Sequence, residues 1–345
     1  MSIVFKTVKR SKQLSESRVK YLRLDKNERV TKFPYSFIKI FKKQINSESL
    51  NIYPELFKFY RALSKTHLLG INYFFATAGI DAGLRSCIEL FGNKKIIILN
   101  PTFAMINIYC SILKKNVIKA SYDKNFNLDL ETIYNNLNSN TSLVILSNPN
   151  SPTGTVLNVN QIKKILIKSK KFNIKVIVDE AYYGFCKITC TSLIKRFDNL
   201  IILRTFSKAF GVAGLRIGYA ISHPKNIKKM VNIKPMYETN SLGILAANIL
   251  LKNKKISKDY LDQVTTGKKF LLSFFDKKKI KYIHSEGNFI LFKILKNKKA
   301  YFKKLKQNNI RIVEKFSYKS LKGFSRLTLA PKKEINEFIK IFKSY

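Results

Sequence analysis

Tryptophan is missing from this 345-residue chain, histidine occurs only three times and cysteine four times. With Cys87, Cys110, Cys186 and Cys190 scattered, no group has metal-site spacing, and no metal is expected. The same scarcity excludes a small disulfide-stapled scaffold, and a reduced, cytoplasmic setting fits the thiols. No apolar run approaches the roughly 18–20 residues of a membrane-crossing helix; the candidate "IIILNPTFAMI" is interrupted by Asn100 and Pro101. Acidic residues are scarce too: 21 Asp and Glu against 65 Lys and Arg, a formal net charge of +44. Such an excess ordinarily points to a polyanionic partner. Here most of it is lysine, spread along the chain beside abundant Ile and Asn, while the aromatic residues fall at core-like spacings. Background composition accounts for the charge, and nucleic acid is not expected as a partner. The opening "MSIVFKTVKRSKQLSESR" is basic, lacks an apolar core and carries Glu16, so it reads as a solvated lead-in rather than a targeting signal.

At 46% hydrophobic the chain can bury a large core, and its length predicts a large domain with a smaller one attached. Between about 70 and 220, β-branched runs alternate with helical stretches. "KKIIILN" (94–100), "TSLVILSN" (141–148), "KVIVDEA" (175–181) and "NLIILRTFS" (199–207) read as buried strands ending in polar or small residues. Near-continuous apolar runs of this kind belong to a parallel sheet covered on both faces. "SCIELFGNK" and "NQIKKILIKSKKFN" supply crossover helices. From about 250, lysine-rich helices ("LLKNKKISKDYLDQV", "KKAYFKKLKQNN") alternate with short strands ("NFILFKI", "SRLTLA"). The class is therefore α/β, a mostly parallel sheet in a large domain (46–248) plus a smaller α+β domain (249–345), with residues 1–45 joined to the smaller one. No internal repeat and no Gly/Ser- or Pro-rich linker is visible. Ligands of such sheets bind beyond the carboxyl ends of the strands, where Asn148, Asp179 and Lys208 fall.

The chemistry gathers around "RTFSKAFGVAGLRIG" (204–218). The "GVAG" loop lacks the order of a nucleotide P-loop. A lysine such as Lys208 attacks a carbonyl only when unprotonated, which burial or neighbouring positive charge favours. Arg216 can supply that charge or grip a phosphate with its planar fork. An imine-forming lysine beside a phosphate clamp suggests pyridoxal 5′-phosphate, which needs an acid on its ring nitrogen, a donor to its ring hydroxyl and a stacking face. Asp179 closes a buried apolar strand, where an unpaired carboxylate is costly. Tyr182 lies three residues on, Gly79 opens a turn into a helix whose N-terminus attracts phosphate, and Phe103 offers a flat face.

In this order the motifs resemble the fold-type-I, pyridoxal-phosphate-dependent class I/II aminotransferases, most closely the histidinol-phosphate aminotransferase branch. The resemblance runs through "LRLDKNE" (22–28), "NIYPEL" (51–56), "ATAGIDAG" (76–83), "NPTFAM" (100–105), "SNPNSPTG" (147–154), "VDEAYYGF" (178–185), the Lys208 segment and "SRLTLAP" (325–331). It implies that Lys208 carries the cofactor, Asp179 pairs with the ring nitrogen, Tyr182 bonds the ring hydroxyl and Phe103 stacks on the ring. Gly79, Ile80, Asp81, Ser207 and Arg216 would hold the phosphate. Tyr53 would reach the neighbouring subunit's phosphate, implying a homodimer, and Arg326, with Asn27, would meet the substrate, Arg326 at its carboxylate. The partners implied are small amino-acid and keto substrates, with glutamate and 2-oxoglutarate as donor pair. Three positions depart from the family pattern. Ser151 replaces an asparagine, with Asn150 beside it as the alternative donor; Ile80 replaces a hydroxyl residue; and "NERVTKFP" replaces an Asn-Pro-Tyr segment. A threonine-phosphate-type decarboxylase and a non-catalytic anion-binding relative are the competing readings.

Overall fold

A computed structural model describes residues 17–233, 235–294 and 297–343; most of the basic lead-in, residues 1–16, lies outside them. The described chain opens with a short 3-10 helix (Arg18–Lys20) and a short strand, β1 (Leu22–Leu24). A seven-stranded sheet follows, built from β2 (Phe74–Thr77), β3 (Lys95–Asn100), β4 (Val117–Ser121), β5 (Thr141–Ser147), β6 (Lys175–Asp179), β7 (Leu200–Thr205) and β8 (Gly218–Ser222). Their spatial order is β2-β8-β7-β6-β5-β3-β4. The pairs from β4 through β3, β5 and β6 to β7 are parallel, and only β8 runs against its neighbours.

Alternation along each strand explains why the apolar runs are unbroken. Val144, Val176, Val178 and Ile202 enter the cluster on one face of the sheet. Ile145, Ile177, Ile201 and Leu203 enter the cluster on the other. Each such side chain contributes roughly 1.5–3 kcal/mol on full burial, so neither face can be left to solvent and helices cover both. Among these is Val159–Lys170, started by a reciprocal cap between Asn158 and Gln161. Because the strands run together, their carboxyl ends finish at one edge, where Ser147 stands beside Asp179 and Asp179 beside Leu203.

The C-terminal part adds β9 (Tyr282–Ile283), β10 (Phe289–Lys293), β11 (Ile310–Ile312) and β12 (Phe324–Thr328). An antiparallel sheet, β12-β10-β9, packs against helices through Tyr260, Phe275, Phe292, Tyr301 and Phe338. β1 pairs in parallel with β11, so residues 22–24 lie with this part. The expectation that all of 1–45 joins it needs correcting. The helix Tyr35–Lys43 buries Phe37, with Phe41 one turn on, in the core of the seven-stranded sheet. The single helix expected over "LLKNKKISKDYLDQV" is two, broken at Asn253 (φ −106°, ψ 64°) between Ser241–Lys252 and Lys254–Lys277. Among the described residues no helix is long and apolar enough to cross a membrane.

Gly267 shows how tightly the C-terminal part is packed. It lies in the helix Lys254–Lys277, and a β-carbon there would overlap the Ala330 carbonyl, which is backbone and cannot rotate away. Alanine would gain about 1 kcal/mol in helix propensity, against overpacking of typically 1–3 kcal/mol. The overlap puts the penalty at the upper end, so Gly267→Ala should destabilise by about 2 kcal/mol. Urea unfolding checks this, and a midpoint at or above wild type would refute the close approach.

Candidate active site

A cavity of about 160 Å³ opens at the carboxyl ends of the strands, with Lys208 and Asp179 both in its lining. Asp179 is the last residue of β6 and is buried. Its Oδ1 accepts from the Ala181 amide at 3.0 Å and its Oδ2 from the Ser147 hydroxyl at 3.4 Å. Among the described residues no cation bonds it. Burial, aided by Asp81 and Glu180, outweighs those two donors and pushes its carboxyl up to about 7. Lys208 Nζ donates to the Lys26 carbonyl at 2.9 Å. Burial first, and then the Arg326 and Arg216 guanidinium groups, lower its ammonium to about 8 against the pull of Glu28 and Asp81.

Tyr182 follows Asp179 by three residues, and its hydroxyl accepts from Asn27 Nδ2 at 2.9 Å. Asn27 sits at φ 55° and is fixed from the small part. Thr328 Oγ1 accepts from its amide and donates to its Oδ1, both at 3.0 Å, and Asn288 Nδ2 donates to its carbonyl at 3.2 Å. Arg326 on β12 reaches in beside them. Its Nη2 donates to the Asp25 carbonyl at 2.8 Å and its Nη1 to Ser151 Oγ at 3.4 Å, while Nε is buried without a partner.

The opposite end is a cradle for an anion. Gly79 (φ +77°) turns the chain into the helix Ile80–Phe91, whose free N–H groups and dipole favour negative charge. Arg216, itself left-handed at φ 47°, donates from Nη1 to Ser207 Oγ and from Nη2 to Asp81 Oδ2, each at 3.3 Å. Thr205 Oγ1 donates to Ser207 Oγ at 3.0 Å. Ile80 and Phe103 complete the lining on this face.

Two expected residues stand elsewhere. Asn150 is turned away: its Nδ2 bonds the Pro101 carbonyl and Thr153 Oγ1 and its Oδ1 accepts from Thr102, so its polar atoms are used within the turn. Ser151 is the one that lines the cavity, together with Tyr182, and accepts from Arg326. Tyr53 lies away from its own chain's cavity, 67% exposed and stacked on Tyr237 at 3.8 Å. Asn148, at a strand end, closes a turn by exchanging bonds with the Leu157 backbone. The departing "NERVTKFP" segment is held by Arg29, which stacks on Phe33 and Tyr260 at 4.5 and 4.1 Å from the ring centroids. Sequence reasoning passed over Ser147, Thr205 and Lys26, all in the lining. Ser147 and Thr205 end β5 and β7, the same signal that found Asp179.

The sequence profile of the family described as Aminotransferase class I and II matches residues 42–342, and the chain belongs to that family. Within it the chain stands near the histidinol-phosphate aminotransferase branch. It is 33% identical to the dihydroxyacetone phosphate transaminase of Campylobacter jejuni over 267 residues, 75% of this chain and 72% of that one. It is 32% identical to the histidinol-phosphate aminotransferase of Caldanaerobacter subterraneus over 314 residues, 89% of this chain and 88% of that one. The solved structure of the Sinorhizobium meliloti histidinol-phosphate aminotransferase, in complex with pyridoxal 5′-phosphate, shares the fold. Its TM-score is 0.82 at 19% identity, over 93% of this chain and 91% of that one. The protein is a pyridoxal-phosphate-dependent aminotransferase.

The cavity fits that cofactor. Asp179 is a buried carboxyl awaiting a cation, which a protonated ring nitrogen supplies. A β-carbon at Gly79 would stand 2.6 Å from Arg216 Nη2, so the bare glycine keeps the anion cradle open.

Asp179 sets a pH dependence in the cofactor-free protein. The folded state holds a proton up to about pH 7, whereas the unfolded chain releases it near 3.8. Stability from this group is therefore full below pH ~4 and lost as pH rises through 7, by on the order of 2–4 kcal/mol. Asp179→Asn cannot ionise, so its thermal midpoint should match wild type near pH 4 and exceed it at pH 8. A difference that stays constant across that range would contradict the burial argument.

Proposed function

We propose that this aminotransferase passes an amino group from glutamate, leaving 2-oxoglutarate, to a phosphorylated keto acceptor. The observation that carries the reading is one cavity holding a lysine amine loosened to about 8 and a buried carboxyl with no protein cation. The acceptor class follows the two named relatives: dihydroxyacetone phosphate, printed for one, is a phosphorylated ketone, and histidinol phosphate, printed for the other, is a phosphorylated amine whose keto counterpart keeps the phosphate ester.

Pyridoxal 5′-phosphate, when bound, supplies an electron sink for the amine's carbon and stores the amino group between half-reactions. Lys208 would hold it through Nζ, and the same amine, when free, would be the base that takes the donor's α-proton and delivers it to the cofactor. Asp179 would pair with the ring nitrogen and keep a proton there. Tyr182, backed by Asn27, orients the ring hydroxyl, and Phe103 covers a ring face. The Gly79, Ile80 and Asp81 backbone, Ser207 and Arg216 hold the phosphate, and Thr205 props Ser207. Arg326, with its Nε unsatisfied, takes the donor carboxylate, a task its fork suits better than a lysine would.

The same proposal includes a homodimer, a cytoplasmic setting and two parts, divided at the Asn253 break rather than at residue 248 because Ile249, Leu250 and Leu251 pack in the core of the large sheet. Tyr53 supports the dimer: an exposed tyrosine far from its own cavity gains a function only beside a second subunit's. The four buried free thiols support the setting.

Purified protein mixed with glutamate and a panel of phosphorylated and unphosphorylated ketones tests the activity. Phosphorylated acceptors should be aminated with the higher kcat/KM, and Lys208→Ala should abolish turnover and any borohydride-reducible cofactor linkage. Carbon dioxide release in place of amination would overturn the reading in favour of decarboxylation. Mixing Tyr53→Phe with Lys208→Ala subunits tests the dimer. If Tyr53 acts across the interface, one site in each mixed dimer regains both groups and activity rises above that of the parents. No rise would rule out the cross-subunit role of Tyr53.

A further inference from the structure

Behind the cavity, on the opposite face of the sheet, lies an ion pair between Arg204 and Glu180, each side chain 2% exposed. It is the one ion pair among the described residues with both partners fully buried. Arg204 donates to Glu180 Oε2 from Nε at 3.0 Å and from Nη2 at 2.7 Å. Its Nη2 also reaches Thr189 and Thr191, and its guanidinium lies over the Tyr183 ring at 3.4 Å. Glu180 Oε1 accepts from the Cys190 amide at 2.7 Å and from Thr189 Oγ1 at 3.0 Å. On the far side His67 Nδ1 stands 3.5 Å from Arg204 Nη1 and Nε2 3.1 Å from the Tyr219 hydroxyl. Burial, and then the Arg204 charge, hold His67 neutral, so the cluster has a single cation and a single anion.

The position of this pair in the chain is informative. Glu180 directly follows Asp179, and Arg204 directly precedes the Thr205–Lys208 segment. The ladder between β6 and β7 ends at Asp179 and Leu203, with a last bond from the Glu180 amide to the Leu203 carbonyl at 2.9 Å. Beyond it the two strands separate and open the cavity. The side-chain pair takes over where the backbone pairing stops.

Stability alone does not call for charges at this place. Desolvating two ions is expensive, and apolar side chains of similar volume usually hold a fold equally well or better. What apolar contact lacks is a fixed distance and angle, which two guanidinium N–H groups converging on Glu180 Oε2 supply. We propose that Glu180 and Arg204 are positioning residues whose ion pair sets the separation between Asp179 and Lys208 at the mouth of the sheet. The inference rests on the roles given above to those two residues.

The test compares wild type with the apolar double variant Glu180→Leu/Arg204→Met and with Arg204→Lys, which keeps the charge pair but loses the fork. Three quantities are read: the thermal midpoint, the pH midpoint of the visible absorbance of the cofactor joined to Lys208, and kcat and KM for glutamate. The double variant should keep its thermal midpoint and bind cofactor, with a shifted absorbance midpoint. Its kcat should fall by about 10²-fold, the scale of a 1 Å misplacement, with KM little changed. Arg204→Lys, folded because its charges still balance, should show the same shift and a smaller fall. Unchanged absorbance midpoints and kcat in either folded variant would overturn the proposal. So would losses that only track the thermal midpoint, since those mark a structural role. The absorbance titration needs no turnover, so a wild-type protein inactive on every amine would sink the functional reading and leave this test standing.

Discussion

A carboxylate buried at the end of an apolar strand must meet a cation or keep a proton, and among the described residues none bonds Asp179 through a positive group. That constraint organises the site. Burial of an isolated charge is costly enough that the group neutralises instead, which is why the carboxyl is pushed to about 7. On the proposed role of Asp179, a ring nitrogen carrying a proton would resolve the conflict. The parallel sheet makes this arrangement possible because Ser147, Asp179 and Thr205 all end their strands at one edge. The same geometry lets a single cavity receive side chains from three strands, to which residues outside the strands, Asn27, Ser151 and Lys208 among them, are added.

The overall charge of +44 has little to do with the local chemistry. Exposed lysines act through screened solvent and fade over about 8–10 Å. Lys208 is lowered chiefly by burial, and the neighbours that move it are named and few: Arg326 and Arg216 in one direction, Glu28 and Asp81 in the other. The surface excess has a different consequence, since a broadly positive field raises the local concentration of anionic substrates. Carboxylate donors and phosphate-bearing acceptors would both be drawn to such a surface. Attraction is then general, while selection is left to the cavity.

Much of the centre of the chain was legible as sequence because it obeys two simple rules together. Buried parallel strands read as unbroken β-branched runs, and what matters for function follows each run, so Asp179, Lys208 and Phe103 could be picked out by position. The rules failed where a contact is set by partners distant in sequence. Asn150 has the better donor chemistry, yet Pro101 and Thr153 claim it, and that competition is visible only once the turn is folded. The helix Tyr35–Lys43 reads as amphipathic, but nothing in it says which of two cores receives Phe37. Arg204 was hidden for a related reason: in a chain with 65 basic residues, one arginine inside a strand carries no mark of being buried.

Arg326 shows how far the site depends on segments that are remote in sequence. It stands on β12, donates to the Asp25 carbonyl of the N-terminal segment, and meets Ser151 from the large sheet. Asn27, two residues beyond Asp25, bonds both Tyr182 and Thr328. Lys26 between them gives its carbonyl to Lys208. Residues 25–27 therefore join Lys208, Tyr182 and Arg326 through consecutive positions. The segment is tied to the small part by the β1–β11 pairing and by Thr328. Any displacement of the small part against the sheet must move all three contacts at once. In this arrangement the Nε of Arg326 is left without a partner. If Arg326 has the role proposed for it, substrate binding and assembly of the site would be coupled through that linked set.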